Sequence, residues 1–186
     1  GFPEALYKVQ YNAIGNPNLA ETTKALLNPT PVGLDMDWGL DHGAWSVLKH
    51  LYPNADVPVI QLSIDYTQPA SYHFELAKKL QALRNRGILI VGSGNIVHNL
   101  RMVDFANINK VDYGYDWAIE AHETVNKLLL DGNYQPLVNY EKGNRALQLA
   151  IPTPDHFLPL LYSIGLQEKS ENIELFNNHL LAGSLS

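Results

Sequence analysis

Three histidines stand in surroundings where a side chain could do chemistry, and His98 is the first of them. It lies in the segment 92–100, just after the apolar run 88–91. In open α/β sheets, ligands bind beyond the carboxyl ends of the strands, where glycines let the backbone approach a ligand closely. A phosphate loop is excluded because Val97 stands where its third glycine is needed, and Ser93 is too close to both neighbouring glycines for a nucleophile elbow. His98 remains a candidate functional residue by position.

His42 is the second candidate, and it is predicted at the junction between a loop and a helix. It follows Asp41, a residue type suited to cap the N-terminus of that helix. In the functional interpretation, His42 donates a hydrogen bond to an oxygen-bearing aromatic substrate beside Trp38 and Trp45. The residues fit both the capping and the substrate-binding interpretation, so the sequence leaves the choice open.

The third candidate, His156, is predicted in the first turn of a helix, after Pro152 and Pro154. A rigid backbone around a solitary histidine suits a metal ligand, because ligand geometry must be held tightly. It also suits a plain helix start. His98 is far from His156 in the chain, so no local spacing such as H-E-x-x-H establishes a metal site.

The remaining histidines have no such context and are interpreted as surface residues or hydrogen-bonded core residues. The chain has no cysteine. This excludes disulfides, thiolate nucleophiles, cysteine-ligated zinc and iron–sulfur clusters. Any metal must therefore be bound by His, Asp or Glu. The four histidines without a functional context are His50, His73, His122 and His179.

Composition predicts a single globular domain over 1–186. The chain has 186 residues, 46% of them hydrophobic, and a net charge of −6. An acidic chain is a poor candidate for nucleic-acid binding, which needs clustered positive charge. No window of about 18 apolar residues and no basic region before an apolar stretch occurs, so neither a membrane span nor a signal peptide is predicted. We expect a cytoplasmic protein with no nucleic-acid or membrane partner.

The periodicity of the apolar residues predicts an α/β fold. Residues 57–64 and 88–91 are apolar runs rich in β-branched residues, typical of buried strands, and a helix between them starts at Pro69 and ends near Gly87. Strand, helix and strand with short connections predict a right-handed βαβ unit. We therefore expect a mostly parallel central sheet flanked by helices on both faces. Further helices are predicted over 17–27 with Asn16 as cap, 43–51, 117–130 closed by Gly132, and 153–161.

Three strings of residues, in this order and at fitting spacing, resemble the class III extradiol ring-cleavage dioxygenases. They are GLDHGAW at 39–45, GSGNIVHNL at 92–100 and PTPDHFLPLLY at 152–162. The greatest similarity is to the bacterial 4,5-DOPA dioxygenase branch, which residues 136–140 and 183–186 also fit. The resemblance covers essentially the whole chain, and three long motifs make it specific.

The resemblance implies a single-domain α/β enzyme that uses non-haem Fe(II), with zinc as an alternative occupant of the same site. The metal binds a catechol through both hydroxyl oxygens and activates O2. Both oxygen atoms are inserted as the ring opens beside the diol. The implied partners are a small aromatic diol, DOPA-like in this branch, and O2. The sequence leaves the oligomeric state open.

The same resemblance assigns roles to the candidate residues. His156 matches a metal-ligand histidine. His98 matches the histidine of the S-G-N-x-x-H-N-L string, assigned either to the metal shell or to acid–base work on substrate. His42 is expected near the substrate, with Asp41 and Trp45 at the same binding site. These roles suit histidine, because a neutral imidazole binds iron and a group titrating near neutrality can take and return a proton.

The resemblance further predicts that metal-binding strands precede this sequence. Family members begin with a strand ending in an H-G-x-P-like string and a second ending in an A-H-W-like string, and the histidines of both are metal ligands. Neither string occurs here, and residues 1–7 fit the family segment just after both. We therefore expect two strands to be missing, and the 186-residue form to be inactive or weak in metal.

Two other functions remain open at this stage. A non-catalytic protein of the same fold could bind an aromatic molecule or a protein partner, although a decayed site would be expected to lose some of His42, His98 and His156. A zinc-dependent hydrolase is the third alternative, with Asp41 and Asp155 as carboxylates in the motifs. Substrate turnover separates it from the dioxygenase better than metal analysis does.

Overall fold

The computed structural model describes residues 3–186, and the chain divides into two compact units, Gly1–Ser63 and Ile64–Ser186. The segment 1–7, which the resemblance places after two strands, begins with two residues, Gly1 and Phe2, that lie outside the described residues. A single domain over 1–186 stays a prediction.

The described part of the first unit contains three helices, and side-chain capping explains where two of them begin. Asn16 caps α2 by accepting a hydrogen bond from Leu19 N–H at 3.0 Å, and Asp41 caps α3 by accepting from Ala44 N–H at 2.8 Å. Both predicted helices are confirmed, although α3 begins one residue earlier than expected. The helices are α1 (Glu4–Tyr7), α2 (Pro17–Leu27) and α3 (His42–Leu51).

The second unit is built from five helices around an apolar core. Two predicted helices are confirmed, the one that starts after Pro69 and the one that ends before Gly132. Gly87 and Gly132 adopt φ of +73° and +65° just beyond the ends of these helices. Helix α4 packs against α8, and α5 packs against α7. Gly165 allows close packing of α8 on α4, because a Cβ there would lie 2.8 Å from the Cβ of Ala77. The helices are α4 (Ala70–Arg84), α5 (Asp116–Leu130), α6 (Gln135–Val138), α7 (Arg145–Ala150) and α8 (Leu158–Gly165).

The predicted parallel sheet is not confirmed. Across residues 3–186 the backbone pairs only in isolated bridges, one of which joins His98 to Leu185, and the runs 57–64 and 88–91 lie outside any strand. The expectation that 88–91 is covered on both faces is wrong, since Leu89 is 62% exposed. Apolar, β-branched composition indicates a segment able to form a strand, but a ladder also needs hydrogen-bonding neighbours on other segments.

The predicted helix over 153–161 also begins later than expected. Helix α8 starts at Leu158, so His156 lies in the turns before the helix rather than in its first turn. Of the helices in residues 3–186, none is both long and apolar enough to cross a membrane.

Candidate active site

Two loops of the second unit are joined through their backbones, and each carries one candidate histidine. Asn95 N–H donates to the carbonyl oxygen of His156 at 2.9 Å, and His98 N–H donates to the carbonyl oxygen of Ala150 at 2.9 Å. Backbone hydrogen bonds fix the path of both loops regardless of side-chain rotamers. The motifs at 92–100 and 152–162, distant in the chain, therefore lie next to each other.

Glycine is required where the two loops meet. A Cβ at Gly94 would overlap the carbonyl oxygen of His156, and a Cβ at Gly92 would lie 2.6 Å from the carbonyl oxygen of Pro159. Real Cβ atoms do not approach backbone oxygens this closely, so a side chain at either position would push the loops apart. This close approach explains why the 92–100 motif carries glycines without forming a phosphate loop.

The segment 184–186 supports the His98 loop from another side. Asn99 N–H donates to the carbonyl oxygen of Ser184 at 3.0 Å, and Ser186 N–H donates to that of Val97 at 3.0 Å. The hydroxyl of Ser186 accepts from Val97 N–H at 2.9 Å, and the side-chain amide of Asn95 donates to the Ser186 carbonyl. Backbone hydrogen bonds thus fix Val97 and Asn99, the two residues that flank His98 in the chain.

The imidazoles of His98 and His156 lie face to face where the two loops meet. Their ring centroids are 3.5 Å apart and the ring planes differ by 12°. Burial lowers the pKa of His98, and the neighbouring His156 lowers it further, because a second positive charge at this distance is unfavourable. The His98 ring is consequently neutral near neutral pH.

His156 has a carboxylate beside it. Its Nδ1 lies 2.6 Å from Oδ2 of Asp155, yet this buried nitrogen makes no aligned hydrogen bond with any described residue. Burial raises the pKa of Asp155, but hydrogen bonds, led by that of Thr153, outweigh burial and leave the pKa below its usual value. Asp155 is therefore ionised, and a carboxylate beside an imidazole nitrogen is a common arrangement in metal sites.

The side chains of His98, His156 and Asp155 offer groups that fit part of a metal site. Imidazole and carboxylate are ligands of non-haem iron and of zinc, and the Asp155 carboxylate beside Nδ1 of His156 is the kind of partner that a metal-binding imidazole has. No group of three or more His, Asp or Glu side chains within residues 3–186 could hold a metal ion. An ion between the parallel rings of His98 and His156 would lie well outside both ring planes, where the nitrogen lone pairs do not point.

A cavity of about 120 Å³ opens on His156. An apolar cavity of about 150 Å³ is large enough for benzene, so this space is close in size to one aromatic ring. Polar groups and glycine backbone face it together with apolar side chains. The wall consists of Gly92, Gly94, Asn95, Ile96, His156, Leu160 and Ser163.

The third motif belongs to the first unit, where Asp41, His42 and Trp45 are neighbours at the start of α3. Asp41 caps this helix and also exchanges two hydrogen bonds with the side chain of Gln61, at 2.8 and 3.0 Å. His42 is the first residue of the helix and is exposed, whereas Trp45 is half-buried. The capping interpretation of Asp41 is confirmed, and a substrate contact by these three residues stays a prediction.

His122 is buried rather than on the surface, so the core alternative of the prediction applies to it. It is 8% exposed and its Nδ1 has no hydrogen-bond partner among the described residues. Burial lowers the pKa of His122, while hydrogen bonding by Asn178 opposes this effect. A signal was present in the sequence, since His122 lies four residues after Ala118 and three before Val125, on the buried face of α5.

Comparison with known proteins agrees with the resemblance in the motifs. The family described as the catalytic LigB subunit of aromatic ring-opening dioxygenase matches residues 2–184. The 4,5-DOPA dioxygenase extradiol of Escherichia coli K12 is 46% identical, with 100% of this chain and 69% of the relative covered. The protein of the same name from Beta vulgaris is 34% identical, with the same coverage of both chains.

A solved structure agrees as well. The crystal structure of an uncharacterized protein from Escherichia coli K12 superposes with a TM-score of 0.82 at 42% identity, covering 97% of this chain and 75% of that one. The chain therefore belongs to the LigB family of catalytic subunits of aromatic ring-opening dioxygenases, and it is an extradiol ring-opening dioxygenase.

Proposed function

We propose that this protein is a cytoplasmic Fe(II)-dependent extradiol dioxygenase that opens the ring of a DOPA-like catechol. Relatives from bacteria and plants that are named 4,5-DOPA dioxygenase extradiol support the substrate class. The observation that carries the proposal is the backbone-joined pair of loops that stacks His98 on His156 beside a ring-sized cavity. In the overall reaction one ring carbon–carbon bond beside the diol breaks, and both atoms of O2 enter the product.

His156 is the metal ligand in this proposal. Its ring is half-buried, it lies against an ionised Asp155, and its loop is fixed by the hydrogen bond from Asn95. The carboxylate near Nδ1 favours the tautomer with the proton on that nitrogen, which leaves Nε2 as the metal-binding atom. Bound Fe(II), or zinc as an alternative occupant, would supply a centre at which both catechol oxygens and O2 can be brought together.

His98 is the acid–base residue. Its ring cannot share one ion with His156 in the stacked arrangement, so proton transfer fits it better than the ligand role that the resemblance also allows. A neutral imidazole beside the catechol would accept the proton of one hydroxyl as the diol binds and return it as the ring opens. The hydrogen bond from His98 N–H to Ala150 holds this residue in place for both steps.

His42 is assigned to substrate binding together with Asp41 and Trp45. Asp41 fixes the first turn of α3 through Ala44 and Gln61, so the backbone that carries His42 is well held. The His42 imidazole would donate a hydrogen bond to a substrate oxygen, and the Trp45 indole would contact the aromatic ring.

Oxygen uptake with DOPA and added Fe(II) tests the proposal, comparing the natural full-length protein with its His156→Ala variant. We expect activity and bound iron to fall together in the variant, at least a hundredfold for activity, while thermal unfolding changes little. His50→Ala, at an exposed histidine of α3, is the matched control and should keep both activity and iron. Equal activity and equal iron in His156→Ala and the unmodified enzyme would exclude His156 as a ligand.

A further inference from the structure

Asn99 follows His98 directly in the chain, and its buried side chain is hydrogen-bonded through both its nitrogen and its oxygen. The side-chain amide donates to the carbonyl oxygen of Leu149 at 2.8 Å, and Oδ1 accepts from Arg101 N–H at 3.2 Å. The second of these bonds caps the short 3-10 helix Leu100–Met102. The Asn99 side chain therefore ties the segment after His98 both to its own turn and to the end of α7.

The amide bond of Asn99 lies next to the backbone bond that holds His98. His98 N–H donates to the carbonyl oxygen of Ala150 at 2.9 Å, and Leu149 is the residue just before Ala150. Two neighbouring residues are thus joined to two neighbouring carbonyl groups at the end of α7. A segment held by one hydrogen bond can pivot about it, whereas a second fixed point also defines its direction. The direction in which the His98 side chain leaves the backbone is set in this way.

Ser184 fixes the backbone of Asn99 from a third segment. Asn99 N–H donates to the carbonyl oxygen of Ser184 at 3.0 Å, and the Ser184 hydroxyl donates to the carbonyl oxygen of Asn99 at 2.9 Å. Ser184 is fully buried, so water does not compete for these bonds. The peptide groups on both sides of Asn99 are therefore held together with its side chain, and one of them is the peptide that joins it to His98.

We propose that Asn99 is a positioning residue that holds the His98 imidazole where it exchanges a proton with the substrate, and that Ser184 assists it. The proposal rests on the proposed function for the acid–base role of His98. An acid–base group must lie within hydrogen-bond reach of the proton that it moves, and a displacement of about 1 Å can lower a rate about a hundredfold. Asn99 acts through the backbone of His98, because its own side chain is bonded to Leu149 and Arg101.

A double-mutant cycle with His98→Gln separates positioning from a general structural role. In the natural full-length protein loaded with Fe(II), Asn99→Ser should lower kcat for DOPA about a hundredfold and change KM less than about threefold. Serine still caps a helix but has no amide to reach Leu149. In the His98→Gln background, the same substitution should lower kcat less than about threefold, because the group that Asn99 positions is gone. An equal loss in both backgrounds, or no loss in either, would overturn the proposal.

Asn144→Ala is the matched control, because it removes an asparagine from the other end of the same helix. The exposed Asn144 caps α7 by accepting a hydrogen bond from Leu147 N–H at 3.0 Å. Loss of this cap should destabilise the protein and yet leave kcat within about threefold. A loss of kcat equal to that in Asn99→Ser would attribute the effect to the stability of α7 and contradict positioning.

Ser184→Ala provides a smaller change that keeps the proposal testable if Asn99→Ser does not fold. It removes only the hydroxyl that donates to the carbonyl oxygen of Asn99. We expect kcat to fall about tenfold in the natural protein and less than about threefold in the His98→Gln background. Equal losses in the two backgrounds would count against the proposal here as well.

An NMR signal from the His98 ring decides the proposal even if the protein opens no catechol, in which case the proposed function fails. The full-length protein is loaded with zinc, which is diamagnetic, and its isotope-labelled histidines give one Cε1–Hε1 signal each. His98→Gln identifies the signal of His98. Because the ring would lose its fixed stacking on His156, Asn99→Ser should shift this signal towards the position of an unstacked histidine, and Asn144→Ala should not. An unshifted His98 signal in Asn99→Ser would overturn the positioning role whatever the activity.

Discussion

Two regions of the unit Ile64–Ser186 each place a histidine against an aromatic ring, and they differ in what the imidazole nitrogens do. Between α4 and α8, His73 is fully buried, with Nε2 3.0 Å from the carbonyl oxygen of Asp65 and Nδ1 3.0 Å from the hydroxyl of Tyr162. Because a carbonyl only accepts, Nε2 carries the proton and Nδ1 accepts from Tyr162. In the other region, His98 and His156 stack, held by backbone hydrogen bonds to their loops.

A lowered pKa alone does not distinguish the proposed site from the hydrogen-bonded region. Burial lowers the pKa of both His73 and His98. Around His73 every side-chain nitrogen is satisfied, and burial raises the pKa of Tyr162 to about 12, so neither group is prepared to exchange a proton. Around His156, the imidazole lies beside a carboxylate and on the wall of a cavity. Open space next to the imidazole is the feature that distinguishes the proposed site from the hydrogen-bonded region.

Among the substitutions that test this comparison, we expect the largest effect from one at His98. In His98→Gln we expect kcat for DOPA to fall about 10²–10⁴-fold, the usual contribution of general acid–base catalysis, because glutamine cannot take up the proton. Bound iron should stay at the level of the unmodified enzyme. Steady-state kinetics and metal analysis on the same preparation check both statements.

The matched substitution in the other region is His73→Gln. It should leave kcat within a few-fold, since His73 is hydrogen-bonded on both nitrogens inside the α4–α8 interface. If iron is lost together with activity in His98→Gln, then His98 is a metal ligand and the division of roles with His156 is wrong.

The second prediction concerns the contact between the two loops. In Gly94→Ala the new methyl group would overlap the carbonyl oxygen of His156, and Asn95 N–H would have to leave the same oxygen. We expect a loss of about 1–3 kcal/mol in the free energy of unfolding, typical of overpacking, and a loss of activity of about a hundredfold from misplacement of His156. Denaturant unfolding and kinetics measure the two.

Gly33→Ala is the control, because a Cβ at Gly33 meets no atom within 4 Å and the residue belongs to the first unit. A Gly94→Ala variant as active and as stable as Gly33→Ala would show that the loop contact does not position His156.

The sequence predicted elements governed by local rules and failed where partners come from elsewhere in the chain. Capping by Asn16 and Asp41 placed α2 and α3, and the amphipathic pattern ending at Gly132 placed α5. The run 88–91 has the composition of a covered strand, yet its burial depends on neighbours that composition does not specify.

The same reasoning applies to the site. Motifs identified His98 and His156, and the structure brought them together through hydrogen bonds between distant loops. The contact of Gly94 with His156 could not be read from sequence, because it depends on how two loops approach. The spacing of His122 on α5 predicts a buried position, but only the three-dimensional arrangement shows that its Nδ1 lacks a partner among the described residues.

The third prediction tests the hydrogen-bonded region directly. His73→Leu should lower the free energy of unfolding by about 1–3 kcal/mol at pH 7.5, since Tyr162 O–H and the Asp65 carbonyl lose their partner. Because the folded pKa of His73 lies below 6.5, the unfolded chain binds a proton that the folded chain does not. Stability contributed by neutral His73 is therefore lost as pH falls below about 6.5, and His73→Leu should reduce this slope.

Urea unfolding at pH 7.5, 6.5 and 5.5 provides the measurement. His98 and His122 also have lowered pKa values and remain in the variant, so the difference between the two slopes reports His73 alone. An unchanged slope would mean that His73 titrates in the folded protein as it does in the unfolded chain.

The smallest effect is expected at an ion pair in the same unit. Arg84 Nη1 donates to Oε2 of Glu171 at 2.8 Å, and this guanidinium lowers the pKa of Glu171 to about 2. A carboxylate with a lowered folded pKa stabilises above its usual value of 4.5, and this stability is lost as pH falls from about 4.5 towards 2. The pair is one-third exposed, so salt screens it and the loss is smaller than that at His73.

Unfolding of Glu171→Gln and of the control Glu123→Gln between pH 5 and pH 3 measures this difference, at 0.05 M and 1 M salt. We expect Glu171→Gln to have the shallower slope, and the gap to narrow at high salt. The His73 contribution begins to fall near pH 6.5 and that of Glu171 near pH 4.5, so the two windows separate the buried network from the surface pair. A slope in Glu171→Gln as steep as in the control would show that Arg84 does not hold the carboxylate ionised.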